Sequence, residues 1–342
     1  METKRKRTRI VMSLLSLAGL AVFSVTAGGG GLELVAPLAP VKKTLNDLEP
    51  RTPISSLPYT ISAAGSYYLT GNLTSDANGI LVYADNVTID LAGFSMIGPG
   101  SGTSYGIYMN RRRNVEIRNG TVQGFMGSYR QGGGIYEDSG TGHRVIGIRA
   151  VANGCGIALR GSGHLVKDCT VVENNSYGIH IGQSCTVTGN TCYGNHDRGI
   201  TTYSNCTVTG NTCCDNGNQG ILCEGSGGST VTGNTCQGNW VGIQVLDGCT
   251  VTGNTARKNQ HSGIFVRMGS LVRNNTLRDN EQYNIYVEHP GNAIEENLVT
   301  NSPNGIYFNS AGNFFSNNRA SGNVSDYNNT EGNTDGGGNY SF

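Results

Sequence analysis

The chain has 342 residues, 52 of them glycine and only 8 proline, and 14% of its residues are charged. This composition fits either a disordered chain or a tightly turning repeat. The formal net charge is zero, but residues 1–27 hold five of the 24 basic residues and one of the 24 acidic ones. The remainder therefore carries 19 basic and 23 acidic residues, a net charge of −4 that disfavours nucleic acid as a partner.

Residues 1–27 are predicted to be a signal peptide. A basic stretch precedes an apolar run at residues 10–25, and Val25-Thr26-Ala27 fits a cleavage site. Residues 28–52 are expected to form a linker and an N-terminal cap, with a short helix at residues 43–48 over the open end of the fold. We expect a secreted, periplasmic or cell-surface protein without a membrane span after cleavage.

Two short phrases recur along the rest of the chain. Gly-Ile begins at Gly79, Gly106, Gly134, Gly156, Gly178, Gly199, Gly220, Gly242, Gly263 and Gly305, with Asn284-Ile285 in the one missing place. Thr-Val-Thr-Gly-Asn-Thr begins at Thr186, Thr207, Thr230 and Thr250. The apolar residues alternate within each phrase, so each period holds two short strands separated by Gly/Asn turns.

The period of 21 or 22 residues from Gly134 onward is typical of a solenoid. The sequence therefore predicts an all-β protein, a single-stranded parallel β-helix of about eleven coils over residues 53–323, with a C-terminal tail or cap at residues 324–342. Ile and Val columns should fill a narrow core, two asparagine columns should mark the turns, and two or three parallel sheets should result. We expect essentially no α-helix after residue 60.

Ten cysteines in an exported chain invite a disulfide framework. Their column positions argue against it, because equivalent residues on stacked coils lie about 4.8 Å apart, beyond the roughly 3.5–4.5 Å that a relaxed disulfide requires. Most of them are predicted to be reduced, buried and used as small core residues. The disulfide state of Cys155, Cys214 and Cys223 stays open, with Cys214 the best candidate for an exposed thiol.

The Gly-Ile-x-Val and Thr-Val-x-x-Asn-Thr phrases resemble the repeats of the pectate-lyase-like superfamily over about residues 53–320. The opening segments at residues 49–54 and 65–73 look like the first coil of secreted right-handed β-helix repeat proteins. The resemblance implies a right-handed parallel β-helix. It also implies, in many relatives, lyase, epimerase or hydrolase action on acidic polysaccharide, although other members have no assigned activity.

Catalytic candidates must lie on outward positions, which on the Gly-Ile strands are Arg160, His180, Tyr203, Glu224, Arg267 and Glu288. Arg160, His180 and Tyr203 come from successive coils and supply the base and the cation that β-elimination of a uronate requires. Hydrolysis is disfavoured, because Glu224 and Glu288 stand three coils apart, about 14 Å, beyond the separation of a glycosidase pair. A polysaccharide lyase or C5-epimerase is therefore expected if the protein is an enzyme.

The segment His196-Asp197-Arg198 is a second catalytic candidate. It is similar to the Asp-Pro-His-Asp-Arg motif of mannuronan C5-epimerases, but the Asp-Pro half is absent. These residues fill a turn that is polar in most other coils, so a purely structural role is the simpler interpretation.

Binding without catalysis is the first alternative function. Phe265, Tyr286 and Tyr307 occupy one outward position on successive coils and could stack on sugars, with Glu224 and Arg267 as polar neighbours. The second alternative is ice binding through the outward Thr-x-Thr pairs at Thr186, Thr207, Thr230 and Thr250.

Extracellular polysaccharide is the expected partner. No cofactor is predicted, no metal-ligand spacing occurs, and Ca²⁺ is left open without a motif that supports it. The sequence does not indicate the oligomeric state.

Overall fold

The structure, a computed structural model, describes residues 50–127 and 133–342. The predicted signal peptide and the predicted cap helix at residues 43–48 lie outside the described residues. Within the described ranges every regular element is a β-strand, which confirms the all-β prediction. No helix in these ranges is long and apolar enough to cross a membrane.

The Gly-Ile segments form one parallel sheet of 13 strands, which we call the Gly-Ile sheet. Thirteen coils exceed the predicted eleven because the first and last coils lack the Gly-Ile phrase. The strands are Tyr59–Ile61, Ile80–Val82, Tyr105–Met109, Gly133–Thr141, Ile157–Ser162, Ile179–Gln183, Ile200–Thr202, Gln219–Cys223, Val241–Asp247, Ser262–Met268, Tyr283–Val287, Asn304–Phe308 and Ser325–Asn328.

The other 25 strands belong to one continuous parallel sheet that forms two columns, joined by the long strands Val115–Gln123 and Arg144–Val151. The threonine column adds Thr52–Ile54, Gly65–Leu69, Val87–Asp90, Leu165–Lys167, Thr186–Thr188, Thr207–Thr209, Thr230–Thr232, Thr250–Thr252, Leu271–Arg273, Ala293–Glu295, Phe314–Ser316 and Thr334–Asp335. The third column adds Leu73–Thr74, Ser95–Ile97, Thr170–Val172, Thr191–Tyr193, Thr212–Cys214, Thr235–Gln237, Thr255–Arg257, Thr276–Arg278, Leu298–Thr300, Arg319–Ser321 and Tyr340–Ser341. Residues 325–341 thus continue the coil.

The core is the predicted aliphatic stack. Ile179, Ile200, Ile221 and Ile243 are in register on successive coils and fully buried. The glycine before each isoleucine is required by the next coil: a Cβ on Gly178 would lie 2.6 Å from the carbonyl oxygen of Gly199 and 2.8 Å from Nδ2 of Asn195. Such contacts are closer than van der Waals packing allows, so the Gly-Ile phrase is a stacking requirement.

Asparagine side chains bond each coil to the one before it. Oδ1 of Asn211 accepts hydrogen bonds from the backbone N–H of Asn190 (2.9 Å) and from its Nδ2 (2.9 Å), while Nδ2 of Asn211 donates to the carbonyl of Val187 (3.0 Å). The same pattern runs along both predicted columns. Each amide therefore satisfies backbone groups at a buried turn that strand pairing leaves open.

The two asparagine columns form two ladders of hydrogen bonds along the turns. A further column of side chains, here the third ladder, uses several residue types for the same task. Side chains of His143, His164, Cys185, Cys206, Ser229, Ser270, Asn292 and Asn313 each accept the backbone N–H of the preceding coil. The prediction that most of the cysteines are reduced and buried is confirmed: all ten are free, including Cys155, Cys214 and Cys223, whose state the sequence left open, and all except Cys214 are buried. Interpreting Cys185 and Cys206 as core filler was incomplete, because their sulfur atoms also accept these hydrogen bonds.

Asn284, the residue that interrupts the Gly-Ile series, is compensated by a second exception. In the asparagine column that contains Asn280, position 302 is serine, and the smaller side chain leaves room for Asn284. Oδ1 of Asn284 accepts from Nδ2 of Asn280 (2.8 Å) and from Oγ of Ser302 (2.9 Å), and its Nδ2 donates to the carbonyl of Thr300 (3.1 Å). Oγ of Ser302 accepts the backbone N–H of Asn280 (3.0 Å), so Asn284 and Ser302 share the task of the missing ladder asparagine.

One acidic residue lies inside the core. Glu137 is in register with Met109 and Leu159 and is fully buried. One of its oxygens accepts from the N–H of Ser139 (2.7 Å), and the other lies 3.8 Å from Nε2 of His143. Because Nδ1 of His143 accepts the N–H of Val115, its neutral form carries its proton on Nε2, facing Glu137.

The histidines of the third ladder make the fold sensitive to acid. Burial lowers the pKa of His143 from 6.5 to about 4, and burial also lowers the pKa of His164. The unfolded chain binds a proton below pH about 6.5 and the folded protein does not, so stability is full above that pH and is lost as the pH falls toward about 4. For His143 the loss from pH 7 to 5 is on the order of 2 kcal/mol.

We predict that His143→Asn removes the part of this acid sensitivity that His143 contributes and leaves the part of His164. Asparagine does not titrate, and Asn292 and Asn313 accept the equivalent N–H elsewhere in the ladder. Burial raises the pKa of Glu137, which contributes with the opposite sign in both proteins. Denaturant unfolding at pH 7 and pH 5 measures the difference. Equal pH dependence in wild type and variant would contradict the assignment.

Candidate functional site

The outward side of the Gly-Ile sheet, here the Gly-Ile face, carries three rows of side chains parallel to the helix axis. The central row is in register along the sheet and consists of Tyr108, Tyr136, Ala158, His180, Thr201, Leu222, Gln244, Phe265, Tyr286 and Tyr307. The trailing row lies two residues further along each strand and includes Arg160, Gly182, Tyr203, Glu224, Arg267 and Glu288. The leading row, two residues before each core isoleucine, includes Tyr177, Arg198, Gln219 and Tyr283.

This register separates the predicted outward residues into two rows. His180 pairs with Ala158 and Thr201, in the central row, whereas Arg160 and Tyr203 stand in the trailing row. Alternation alone does not distinguish two outward positions on the same strand.

Arg160 and Tyr203 nevertheless line one depression, here the cationic pocket, of about 460 Å³ together with Gly161, Gly182, Gln183 and Ser204. The trailing row has glycine at Gly182, between the arginine and the tyrosine, and this absence of a side chain opens the pocket. A Cβ on Gly182 would overlap the carbonyl of Gly161, so a larger residue there is excluded by the chain beneath it. Arg160 also pairs with Asp138 at 3.4 Å.

His180 lies beside the pocket in a stack of rings. Its ring centroid is 5.1 Å from that of Tyr177 and 5.8 Å from that of Tyr203. His180 is only 8% exposed, whereas Tyr203 is 42% exposed. The three predicted residues are therefore neighbours, with the tyrosine as the member most open to solvent.

The second predicted cluster adjoins the first. The Arg198 guanidinium lies over the Tyr177 ring at 5.5 Å, Nη1 of Arg198 contacts Oε1 of Glu224 at 2.8 Å, and Nε lies 3.9 Å from Asp197. Arg198 and Asp197 thus belong to the Gly-Ile face, while His196 is exposed. The sequence treated the two clusters as alternatives, and the fold brings most of their residues into one region.

An aromatic platform follows along the helix axis. The ring centroids of Phe265 and Tyr286 are 4.9 Å apart, and those of Tyr286 and Tyr307 are 5.5 Å apart. The structure adds residues that the sequence missed: Trp240 and Tyr283 lie 5.6 and 5.3 Å from His261, and Tyr283 lies 5.0 Å from Tyr286. We define the aromatic platform as Trp240, His261, Phe265, Tyr283, Tyr286 and Tyr307.

Charged groups border the platform. Arg267 pairs with Asp247 at 3.7 Å, and Glu288 lies 3.8 Å from His289. Burial lowers the pKa of His261, which favours its neutral form within the ring stack. In the described ranges no group of three or more His, Cys, Asp or Glu side chains is arranged to hold a metal ion.

The threonines project from a different side of the coil. Thr186, Thr207, Thr230 and Thr250 are in register, with Leu165 before them and Leu271 after them. The third column carries an additional threonine row that the sequence analysis did not identify, at Thr170, Thr191, Thr212, Thr235, Thr255 and Thr276. Ice binding by the Thr-x-Thr pairs stays a prediction.

Chemically, the Gly-Ile face combines stacking surfaces with paired charges. Arg160 and Arg198 each have a carboxylate partner, so an anionic ligand would compete with Asp138 or Glu224 for the guanidinium. Trp240, His261 and Tyr283 were missed because they lie at or next to the turn before the strand, where the period-two pattern gives no signal. Their only sequence signal was recurrence at nearly one coil spacing.

Comparison with known proteins yields two family matches. The family described as "Right handed beta helix region" matches residues 63–207, 105–260 and 155–289, which together span more than half of the chain. The family described as "Periplasmic copper-binding protein (NosD)" matches residues 246–339. No curated protein matches the sequence.

Solved structures share the architecture at low sequence identity. The A-module of mannuronan C-5 epimerase AlgE6 from Azotobacter vinelandii is 17% identical, with a TM-score of 0.63 over 82% of this chain and 91% of its own. A double mutant of the periplasmic alginate epimerase AlgG is 16% identical, with a TM-score of 0.61 over 78% of this chain and 77% of its own.

The Dettilon tailspike protein is 16% identical, with a TM-score of 0.57 over 72% of this chain. The matched region spans 58% of the tailspike. At these identities the solved structures show the fold, whereas the family match rests on the sequence itself. The chain belongs to the right-handed β-helix family.

Proposed function

We propose that this protein is an extracytoplasmic β-helix that binds polysaccharide along the Gly-Ile face. The observation that carries the proposal is the continuity of the face: the cationic pocket, the His180 ring stack and the aromatic platform follow one another along the axis. Coils succeed each other at about 4.8 Å, so an extended glycan crossing them meets a stacking or polar group on each coil.

The aromatic platform provides the main affinity in this proposal. Sugar rings present apolar C–H faces, and rigid aromatic side chains offer large contact area with little loss of conformational entropy. Phe265, Tyr286 and Tyr307 are each half-buried, so their orientation is fixed by packing before a ligand arrives. Tyr–Tyr packing along a strand column also stabilises the coils themselves, which is why binding must be measured separately from stability.

The comparisons support the proposal in two ways. The epimerases of similar fold are named for mannuronan and alginate, both polysaccharides, and AlgG and NosD carry the description periplasmic. An extracytoplasmic location also agrees with the predicted signal peptide. The cationic pocket favours an acidic glycan over a neutral one, because a carboxylate can compete for Arg160.

Tyr286→Ala is expected to weaken glycan binding by roughly 1–2 kcal/mol, since it removes the central ring of the stacked column. Tyr193→Ala serves as the matched control, because Tyr193 is 45% exposed on the third column, away from the Gly-Ile face. Calorimetric titration with polygalacturonate and alginate measures both variants. If both variants lose the same affinity, or only Tyr193→Ala loses affinity, the glycan does not bind through the aromatic platform.

A uronate lyase or C5-epimerase activity is a second candidate. It is favoured by the approach of His180 and Tyr203, whose ring centroids are 5.8 Å apart, beside a pocket that Arg160 also lines. In such a reaction a base removes the C5 proton of the uronate, and a cation stabilises the charge that develops on the carboxylate. Tyr203, the most exposed member, would be the group in contact with substrate.

If the protein is an enzyme, Tyr203→Phe should lower kcat at least a hundredfold and change polysaccharide affinity little, because only a hydroxyl that acts in the transition state is lost. Absorbance of the unsaturated product reports a lyase, and the NMR signals of C5-inverted residues report an epimerase. Tyr193→Phe is the control. Wild-type protein that binds but produces neither signal would leave binding as the function.

A further inference from the structure

The Arg198–Glu224 ion pair crosses the Gly-Ile face from one side to the other. Arg198 stands in the leading row and Glu224 in the trailing row of the next coil, and their side chains meet at 2.8 Å. The central-row residues between them are Thr201 and Leu222, which are in register with each other. We call this ion pair the strap.

The central row is covered where the strap crosses it. Thr201 is 1% and Leu222 is 4% exposed, although their side chains point away from the core. The row is buried from Tyr136 to Leu222, whereas Gln244, Phe265, Tyr286 and Tyr307 further along are all partly exposed. The strap therefore lies over the last two residues of the buried section, where this section meets the aromatic platform.

The closed section contains polar atoms without hydrogen-bond partners. Oγ1 of Thr201 and Nε of Arg198 are buried and make no hydrogen bond within the described part of the protein. Such atoms are costly when they stay unsatisfied. The Thr201 hydroxyl beneath the strap and the Arg198 Nε within it indicate a surface that is arranged for a polar partner but covered.

We propose that the strap is a gate within the glycan-binding face, and that an acidic polysaccharide long enough to reach both the cationic pocket and the aromatic platform must open it. A carboxylate of the ligand then replaces Glu224 at Arg198, and Thr201 becomes accessible to a ligand hydroxyl. The inference rests on the proposed function for the identity of the ligand, whereas the gate itself is a property of the free protein.

The strap is weak enough to act as a gate. The Arg198 and Glu224 side chains are 18% and 29% exposed, and ion pairs with solvent access contribute little to stability. Asp197, 3.9 Å from Nε, and Tyr177 beneath the guanidinium hold Arg198 in place when Glu224 leaves. When the strap opens, a carboxylate of the ligand therefore replaces Glu224, while Arg198 keeps its position.

The gate can be tested without any glycan. In a Cys214→Ser background, Thr201→Cys places a reporter thiol under the strap, and its modification by a disulfide reagent measures opening. Glu224→Gln should accelerate modification about two- to fivefold, as expected for loss of a partly exposed ion pair. Glu288→Gln, in the same row but without an arginine across the face, should leave the rate unchanged. Equal rates in the parent and Glu224→Gln would overturn the gate.

Binding to polygalacturonate then tests the ligand. Glu224→Gln should raise the affinity about two- to fivefold, and Glu288→Gln, which removes the same charge, should raise it less. If the two substitutions raise the affinity equally, the gain comes only from the removal of a negative charge. That outcome would overturn the proposed exchange at Arg198. If polygalacturonate and alginate bind to no variant, the proposed function fails, while the thiol rates still decide whether the strap opens.

Discussion

Stacking of one coil on the next is the constraint on which the rest of this structure depends. A coil of about 21 residues cannot bury its own apolar side, so each strand pairs only with its equivalents above and below. At the turns, asparagine amides take over the pairing: Asn211 satisfies an N–H of Asn190 and the carbonyl of Val187. Glycine at positions such as Gly178 provides the space that these amides and the next carbonyl occupy.

The same constraint explains why much of the fold could be predicted from the sequence. The Gly-Ile and Asn positions admit almost no other residue, so they recur visibly and give the period, the core columns and the turns. The third ladder was not recognised as such because His143, Cys185, Ser229 and Asn292 share only a hydrogen-bond acceptor. Asn284 with Ser302 shows the reverse case, in which two exceptions to the pattern compensate each other in space.

The candidate site was less predictable, since no stacking rule fixes outward residues. The sequence grouped Arg160, His180 and Tyr203 on one face but did not separate the central row from the trailing row, because alternation does not distinguish positions two residues apart. It also could not place Arg198 over Tyr177, or Trp240 beside His261, since these contacts join a turn to a neighbouring coil. Functional side chains at the edges of strands therefore require the three-dimensional register.

The Gly-Ile face carries two arginine–carboxylate ion pairs in one region and the stacked rings of the aromatic platform in another. The proposal that polysaccharide lies along this face can be tested through Trp240, which is the single tryptophan of the chain and is 43% exposed. Titration with polygalacturonate or alginate should change its fluorescence saturably and protect it from a soluble quencher. Binding seen by calorimetry with unchanged Trp240 emission and quenching would contradict the account.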